Sequence, residues 1–222
     1  VMGAFTKYYP YDMGFTLENF NFNPSTGGIQ SYMNSLKMSI VTAICGTVFV
    51  FVYAYFIERG KCFPVLKNAG RILSSLPLAL PGMVIGLSFI FFFNQKNNPL
   101  NFVYGTMIIL VLANMVHFYS VPFVTASSAL KKLVREYENV AESLKVPGWK
   151  TFCKVVVPMS LPAVLEIFMY YLMNSMVTVS AVVFLYSARF KVASIAITHM
   201  EEAGDIAQAA AMSLLILLIN VA

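Results

Sequence analysis

The side chains best suited to recognition lie in one polar segment, residues 128–162, which separates two apolar runs. Its first half is predicted to form an amphipathic helix from 130 to 145, because apolar residues recur at helical spacing. These apolar residues are Leu130, Leu133, Val134, Tyr137, Val140, Ala141 and Leu144. The opposite face is charged and carries Lys131, Lys132, Arg135, Glu136, Glu138 and Glu142. Such a helix can bind a partner surface, so the chemistry we expect here is recognition rather than bond making.

The same segment contains a turn followed by a second short helix. Val146-Pro147-Gly148 must break the first helix, because Pro disfavours α geometry in the residue before it and Gly frees the backbone to turn. The second helix is expected to place on one side Trp149, Phe152, Cys153 and Val156. We interpret Trp149 as an anchor for this helix rather than as part of a cofactor site. The segment is therefore predicted to be a helix, turn and helix outside the bilayer, with one face available for a partner.

The sequence contains no motif that indicates catalysis. A phosphate-binding loop is excluded because Gly60-Lys61 is followed by Cys62 and lacks the upstream Gly. No zinc-protease motif, nucleophile elbow or Cys and His array is present either. The three cysteines are too far apart for a metal motif, and their odd number indicates no disulfide framework. We expect a non-enzymatic chain without a metal or cofactor of its own.

Two sets of polar residues are candidates for a pathway through the membrane. They are Glu166, Tyr170, Asn174 and Thr178, spaced by four, and Asn114 with His117. A four-residue spacing keeps side chains on one side of a helix, and an ionisable group within an apolar run is a functional candidate. The alternative is that these groups form hydrogen bonds between helices. A third group, His199, Glu201, Glu202 and Asp205, could suggest iron binding, but a solvated external face explains it more simply.

The composition indicates a membrane protein in which these residues are held by apolar helices. Of 222 residues, 59% are hydrophobic and only 11% are charged, against about 25% charged in soluble domains. Residues 1–33 are predicted to be an external loop packed by aromatic side chains. The rest, 34–222, is predicted to be an all-α transmembrane domain. Its five apolar spans, each near the roughly 20 residues needed to cross a bilayer, are 34–57, 73–93, 102–126, 161–186 and 206–222.

The distribution of Lys and Arg predicts the orientation of these spans. Ten of the fifteen basic residues fall on the side that carries the polar segment, and basic loops remain cytoplasmic. The polar segment is therefore expected to face the cytoplasm and the N-terminal loop to face outside. An odd number of spans with an external start suggests a sixth span in the full core. The net charge of +5 does not form one solvated surface, so we expect no nucleic-acid partner.

The polar segment resembles the cytoplasmic signature of permeases from binding-protein-dependent ATP-binding-cassette (ABC) importers. That signature reads Glu-Ala-Ala, three residues, Gly, nine residues, Ile, one residue, Leu-Pro. The corresponding positions here are Asn139-Val140-Ala141, Lys145, Val155 and Val157-Pro158. The spacing and the final Pro match. Asn139 replaces the leading Glu, with Glu138 beside it, and Lys145 replaces the Gly, so the break is expected at Pro147-Gly148 instead.

The resemblance implies the type I ABC importer permease fold in a multi-pass protein of the bacterial inner membrane. It implies three protein partners: an ATPase subunit that binds ATP and Mg²⁺, a periplasmic solute-binding protein, and a second permease half. The ATPase would bind residues 128–160, here called the coupling segment, because a rigid lever can pass its movement to the fourth span. The residues implied in this contact are Glu138, Asn139, Val140, Ala141, Glu142, Lys145, Pro147, Gly148, Trp149 and Pro158. The alternative is an amphipathic helix that only lies on the membrane lipid.

A narrower resemblance concerns the transported solute. The strings VAESLKVPGWKTF, VVVPMSLPAVLEI, TVSAVVFLYS and EEAGDIAQAAAM are similar to permeases of the 2-aminoethylphosphonate importers, a branch close to the ferric iron permeases. The first expectation for the solute is therefore 2-aminoethylphosphonate, with ferric iron or another small solute as the alternative. A secondary transporter or channel that works without ATP is the alternative of a different class. It would predict flux through the protein without an ATPase.

Overall fold

The computed structural model describes residues 2–8, 11–22, 28–60 and 63–221, and these residues are mostly helical. The prediction of a helical protein is confirmed. The longer helices are α2 Gly28–Arg59, α3 Pro64–Ala79, α4 Gly82–Phe93, α5 Met107–His117, α6 Ser120–Lys132, α7 Glu136–Ser143, α10 Leu161–Val177, α11 Ala193–Glu202 and α12 Ile206–Val221. The short ones are α1 Met2–Phe5, α8 Gly148–Thr151 and α9 Val157–Met159, with a π-helical turn, Phe152–Val156, between the last two.

The N-terminal part contains a small antiparallel hairpin, β1 Thr6–Tyr8 and β2 Asp12–Phe15. Phe5 stacks on Phe15 with ring centroids 5.6 Å apart and lies 5.5 Å from the ring of Phe20. This agrees with the expected packing of aromatic side chains, although the loop ends sooner than its predicted boundary at residue 33, because α2 begins at Gly28. Residues 9–10 and 23–27 lie outside the described part of the chain.

One helix, α2, is by itself long and apolar enough to cross a membrane. Three bent pairs would meet the same criterion if each counted as one span: α3 with α4, α5 with α6, and the α8–α9 helix with α10. Four spans are therefore the most that length and composition support among the described residues, and α12 is a shorter apolar helix.

The breaks within the predicted spans have local causes. The second predicted span, 73–93, contains Pro77 and Pro81, each of which can break a helix, and the structure places the break at Leu80-Pro81, while Pro77 remains inside the last turn of α3. In the fourth predicted span, α10 ends at Val177, nine residues before the predicted end at 186. The segment 187–205, between the fourth and fifth predicted spans, contains α11, whose buried residues include Ala196 and Met200.

The chain divides into two compact units, and the first comprises Val1–Thr42, Pro81–Asn114 and Leu172–Ala222. Its core is built from small and flexible side chains of α11 and α12 together with Phe22 and Met176. A close backbone approach occurs at Gly86, because a Cβ there would lie 2.8 Å from the carbonyl oxygen of Ala181. Gly82 and Gly86 are both buried, in keeping with the close packing that their GxxxG spacing predicts.

The second unit comprises Ala43–Leu80 and Met115–Tyr171, and it contains the coupling segment. Tyr171 is fully buried here and its hydroxyl donates to the carbonyl of Met115 at 3.3 Å. Its ring lies against Gly46, where a Cβ would come within 2.9 Å of the ring. Helices α3 and α6 are joined by the Ser120 hydroxyl, which donates to the carbonyl of Ser74 at 2.8 Å. These contacts pack helices closely together within the unit that contains the coupling segment.

Candidate functional site

The coupling segment is fixed to the end of α2 by the guanidinium of Arg59. This group donates to the carbonyl of Leu133 at 2.6 Å and to the carbonyl of Leu130, and it forms an ion pair with Glu138 at 3.3 Å. Its side chain is only 4% exposed. Arg59 thus binds the end of α6, the break that follows it, and α7. One planar group with several donors can hold three parts of the chain in one arrangement.

The neighbouring residue, Glu58, forms a second set of contacts at the same place. Its carboxylate accepts hydrogen bonds from Arg71 at 2.8 Å and from the Ser127 hydroxyl at 2.6 Å, and Lys131 lies 3.7 Å away. The backbone carbonyl of Glu58 accepts a bond from Arg135 at 3.4 Å. The buried carboxylate is therefore well compensated, as a buried charge must be. Glu58 connects α2 to α3 and α6, while Arg59 connects it to the coupling segment.

Sequence reasoning did not identify Glu58 and Arg59 as parts of this site. They lie at the end of the first predicted span, and their partners lie far along the chain. The ion-pair partner of Arg59, Glu138, is 79 residues away. The sequence feature that could have indicated their role is their position, because Glu58-Arg59 directly follows a long run without charged residues.

The expected single helix from 130 to 145 is wrong, because the structure divides it into two parts. Leu130 is fully buried in the last turn of α6, which ends at Lys132. Leu133 is extended, with ψ of 140°, and α7 begins only at Glu136. The two carbonyls that Arg59 binds lie at this break. The carbonyl of Leu130 also accepts a hydrogen bond from the N–H of Leu133 at 3.3 Å, so the guanidinium adds a second donor there and binds the carbonyl of Leu133 beyond the helix end.

The apolar side of α7 faces away from the rest of the described protein. Its residues Tyr137, Val140 and Leu144 are 50%, 57% and 71% exposed. No residue of α7 is buried, although Arg59 fixes the helix through Glu138. A well-anchored helix that leaves three adjacent apolar side chains exposed has the character of a binding surface. We call these three residues the exposed α7 face.

The turn after α7 is a left-handed helix cap centred on Lys145. Lys145 has φ of 56°, its N–H donates to the carbonyl of Glu142 at 2.9 Å, and the N–H of Val146 donates to that of Ala141 at 2.8 Å. This pair of bonds defines the Schellman motif, in which Gly usually occupies the left-handed position. The interpretation that the break had moved to Pro147-Gly148 is therefore wrong. Lys145 adopts the backbone conformation that the Gly of the signature would adopt.

This cap leads to a testable prediction for Lys145. A residue with a Cβ in the left-handed region costs about 1–2 kcal/mol, so Lys145→Gly is expected to raise the free energy of unfolding by about 1 kcal/mol. The measurement is chemical unfolding of the purified protein in mixed micelles. Gly148→Ala is the control, because a Cβ at Gly148 meets nothing within 4 Å. If Lys145→Gly were no more stable than Gly148→Ala, the cap would not be strained.

The second short helix uses a different face from the one expected. Phe152 packs on α2, with its ring 4.7 Å from that of Tyr55 and 6.0 Å from that of Phe51. Thr151 and Val156 are also buried, whereas the predicted face included two residues that are exposed, Trp149 and Cys153. A π-helical turn, Phe152–Val156, follows directly and shifts the side chains after it around the axis.

The other residues implied in the ATPase contact lie around the Lys145 turn and near the end of the coupling segment. A cavity of about 690 Å³ next to the turn is lined by Asn139, Ala141, Glu142, Lys145 and Gly148 together with Arg59 and other residues. Pro147 precedes α8 and Pro158 lies at the start of α9. The chain then bends by 78° between the α8–α9 helix and α10, at Ser160.

The pathway candidates on α10 occupy different environments. In the second unit, Glu166 is exposed and Tyr170 is half-buried with its ring edge-on to Phe118 at 6.3 Å. In the first unit, Asn174 is half-buried and Thr178 is buried just beyond the end of α10. The carbonyl of Thr178 accepts a hydrogen bond from the Ser194 hydroxyl at 2.7 Å. Their role as a pathway stays a prediction.

The other polar candidates are also in separate units. Asn114 is fully buried in the first unit, where its amide lies 3.5 Å from the sulfur of Met38. His117 belongs to the second unit and its ring lies 4.5 Å from that of Phe118. His199 is exposed at the end of α11, with Nε2 3.4 Å from the hydroxyl of Tyr186. Among the described residues, no three His, Cys, Asp or Glu side chains form a group that could hold a metal ion.

Comparison with known proteins agrees with these features. The family described as "Binding-protein-dependent transport system inner membrane component" matches residues 60–222. A putative ferric transport system permease protein of Haemophilus influenzae is 32% identical over 194 residues, which cover 86% of this chain and 30% of that protein. A putative 2-aminoethylphosphonate transport system permease protein of Salmonella paratyphi A is 27% identical over 210 residues, covering 93% and 76% of the two chains. The chain thus spans about a third of the ferric relative.

The fold is also similar to that of a solved transporter. A crystal structure of a bacterial ABC transporter involved in the import of the acidic polysaccharide alginate matches with a TM-score of 0.77 at 14% identity, covering 99% of this chain and 82% of that one. The likeness at this identity concerns the fold, which is that of an ABC importer permease. The family profile covers most of the chain and the polar segment carries the spacing of the permease signature, so this chain belongs to the inner membrane components of binding-protein-dependent transport systems.

Proposed function

We propose that this chain forms the membrane pathway of an ATP-driven importer for a small solute. A separate ATPase subunit supplies the energy, and a periplasmic solute-binding protein delivers the solute. A second permease half, whether a copy, a homologue or another part of the same polypeptide, completes the pathway. The family description, a binding-protein-dependent transport component, supports the need for a binding protein.

The observation that carries this proposal is the exposed α7 face. Three adjacent apolar side chains protrude from a helix whose base is held by a buried guanidinium. A helix that only rested on lipid would need no such anchor. A helix that passes a movement to the spans must be fixed to them, and Arg59 fixes α7 directly to the last residue of the longest apolar helix. The ATPase therefore binds the exposed α7 face and the Lys145 turn.

For the solute, 2-aminoethylphosphonate is the first candidate. It is supported by the relative of which this chain covers 76%. Ferric iron is the second candidate, because the ferric relative has the higher identity, 32%, although this chain covers only 30% of it. In either case the iron or the phosphonate is the transported substrate and not a resident cofactor.

The test is uptake into proteoliposomes that contain the full-length permease, its ATPase and its binding protein. Radiolabelled 2-aminoethylphosphonate and ferric iron are offered separately, with ATP or with a non-hydrolysable analogue inside. We expect uptake of one solute that requires hydrolysis and the binding protein. Equal flux without ATPase would instead identify a channel or secondary transporter, and hydrolysis-dependent uptake of neither solute would remove both candidates.

A further inference from the structure

A cavity of about 500 Å³ lies where the end of α6 meets the start of α10, within the second unit. Its volume falls in the range of pockets that hold small molecules. The polar side chains on its wall are Thr125, Ser128, Lys132, Ser160 and Glu166. The rest of the wall is apolar and includes Leu133, Met159 and Pro162. The cavity can therefore hold a short molecule with polar ends and an apolar middle.

Ser160 brings the joint between the α8–α9 helix and α10 to this wall. The residue is only 4% exposed, and its hydroxyl oxygen is buried. Its backbone is satisfied, because the N–H donates to the carbonyl of Val156 at 3.0 Å and the carbonyl accepts from Val164 at 3.0 Å. The groups of this wall that a ligand can reach are therefore the exposed charged side chains on either side of the joint.

Two opposite charges line the same cavity without neutralising each other. Within the described residues, neither the Lys132 ammonium nor the Glu166 carboxylate has an ion-pair partner within 4.0 Å. The adjacent lysine behaves differently, since Lys131 lies 3.7 Å from the carboxylate of Glu58. The lining thus offers one exposed cation and one exposed anion, which is the complement of a ligand that carries both an anion and a cation.

We propose that this cavity binds a small zwitterion in which an ammonium group and a phosphorus oxyanion are joined by a short carbon chain. Lys132 binds the oxyanion, and Glu166 binds the ammonium. Two molecules share this chemistry: free 2-aminoethylphosphonate and the phosphoethanolamine headgroup of a membrane lipid. The choice of an aminophosphonate rests on the proposed function, whereas the complementary charges are a property of the cavity itself.

The position of the cavity gives the ligand a mechanical role. Ser160 is the residue at which the chain bends by 78° between the α8–α9 helix and α10. A ligand that binds both Lys132 and Glu166 connects the end of α6 to the first turns of α10, next to this joint. Its binding stabilises one angle of this joint, so it is expected to change the rate of ATP hydrolysis by the assembled transporter.

The test uses the full-length permease with its ATPase in phosphatidylcholine nanodiscs, without the binding protein. Isothermal titration with 2-aminoethylphosphonate is compared with ethylphosphonate, which lacks the ammonium, and ethanolamine, which lacks the oxyanion. We expect the zwitterion to bind at least about tenfold more tightly than either, because each lost charge-assisted bond is worth about 1.5–3 kcal/mol. Equal affinity for all three ligands, or no binding of the zwitterion, would overturn the proposal.

Substitutions assign the binding to this cavity. Lys132→Gln should weaken binding of 2-aminoethylphosphonate and ethylphosphonate, while Glu166→Gln should abolish the preference for the zwitterion over ethylphosphonate. The double exchange Lys132→Glu with Glu166→Lys should recover binding with the ligand reversed. Lys96→Gln, in the turn after α4, is the matched control and should bind as the unmodified protein does. Unchanged selectivity in both single variants would place the ligand elsewhere and refute the assignment.

Repeating the titration in nanodiscs that contain phosphatidylethanolamine separates the two sources of the ligand. If the lipid headgroup occupies the cavity, added 2-aminoethylphosphonate should bind more weakly in these discs, and Glu166→Gln should remove the difference. If the free solute is the ligand, the affinity should not depend on the lipid. The uptake assay remains independent, because hydrolysis-dependent uptake with no binding at Lys132 and Glu166 would refute this inference and leave the proposed function intact.

Discussion

Replacing Arg59 by methionine is expected to lower the free energy of unfolding by about 3–5 kcal/mol, the usual cost of removing one partner from a buried ion pair. Methionine keeps much of the apolar length of the side chain but donates no hydrogen bond. The carbonyl of Leu133 loses the guanidinium donor, and the Glu138 carboxylate loses its counter-charge. The carbonyl of Leu130 keeps the 3.3 Å bond from the N–H of Leu133. The measurement is unfolding in mixed micelles with increasing denaturing detergent, followed by circular dichroism.

The control for this substitution is Arg189→Met, which removes an exposed guanidinium from the short helix Ala188–Phe190. It should change the free energy of unfolding by less than about 0.5 kcal/mol. Both variants remove a guanidinium group. The group of Arg59 is buried and bonded to the coupling segment, whereas that of Arg189 is exposed. If Arg59→Met unfolded at the same detergent fraction as Arg189→Met, the guanidinium would not hold the coupling segment.

The second large effect is expected at the exposed α7 face. Val140→Asp and Leu144→Asp each place a carboxylate where the ATPase is proposed to cover an apolar surface. A buried carboxylate without a partner costs several kcal/mol, so association should weaken at least about 100-fold and ATP-driven uptake should be lost. Titration of labelled ATPase onto the permease in nanodiscs measures the association, and proteoliposomes measure uptake.

Ser143→Asp is the matched control for the α7 variants. It adds the same charge to the same helix, but Ser143 lies about 90° around the helix axis from the centre of the exposed α7 face. Its hydroxyl bonds within the helix, to the carbonyl of Asn139 at 2.9 Å. It should retain ATPase binding and most of the uptake. Normal association of Val140→Asp and Leu144→Asp would mean that the ATPase does not contact the exposed α7 face. The permease would then be coupled through another surface.

The sequence predicted those features that depend on neighbouring residues. The polar segment, the end of α7 before Pro147-Gly148 and the break near Pro81 follow from hydropathy and from the backbone limits of Pro and Gly. The turn itself was expected at Pro147-Gly148, because a Lys replaces the Gly of the signature. That expectation is wrong, since the two hydrogen bonds of the helix cap keep Lys145 left-handed at a local cost.

The sequence could not predict features that depend on distant contacts. Apolar periodicity continued from Leu130 to Leu144, but it carried no sign that the helix would end at Lys132, because the break is stabilised by Arg59, more than 70 residues earlier. The burial of α11 was missed for a similar reason. The charged residues of 187–205 indicate a loop, whereas the apolar residues among them are covered by α12 and the N-terminal elements of the first unit.

The adjacent positions of Glu58 and Arg59 constrain how the gene can vary. An extra residue inserted into α2 between Gly46 and Glu58 would rotate both charged side chains by about 100° around the axis and move them about 1.5 Å along it. The carboxylate and the guanidinium would then miss all their partners together, while Gly46 would still face the ring of Tyr171. Selection should therefore reject insertions and deletions in this stretch, even at positions where substitutions are tolerated. The number of residues between Gly46 and Glu58 should be the same in every functional descendant of this chain.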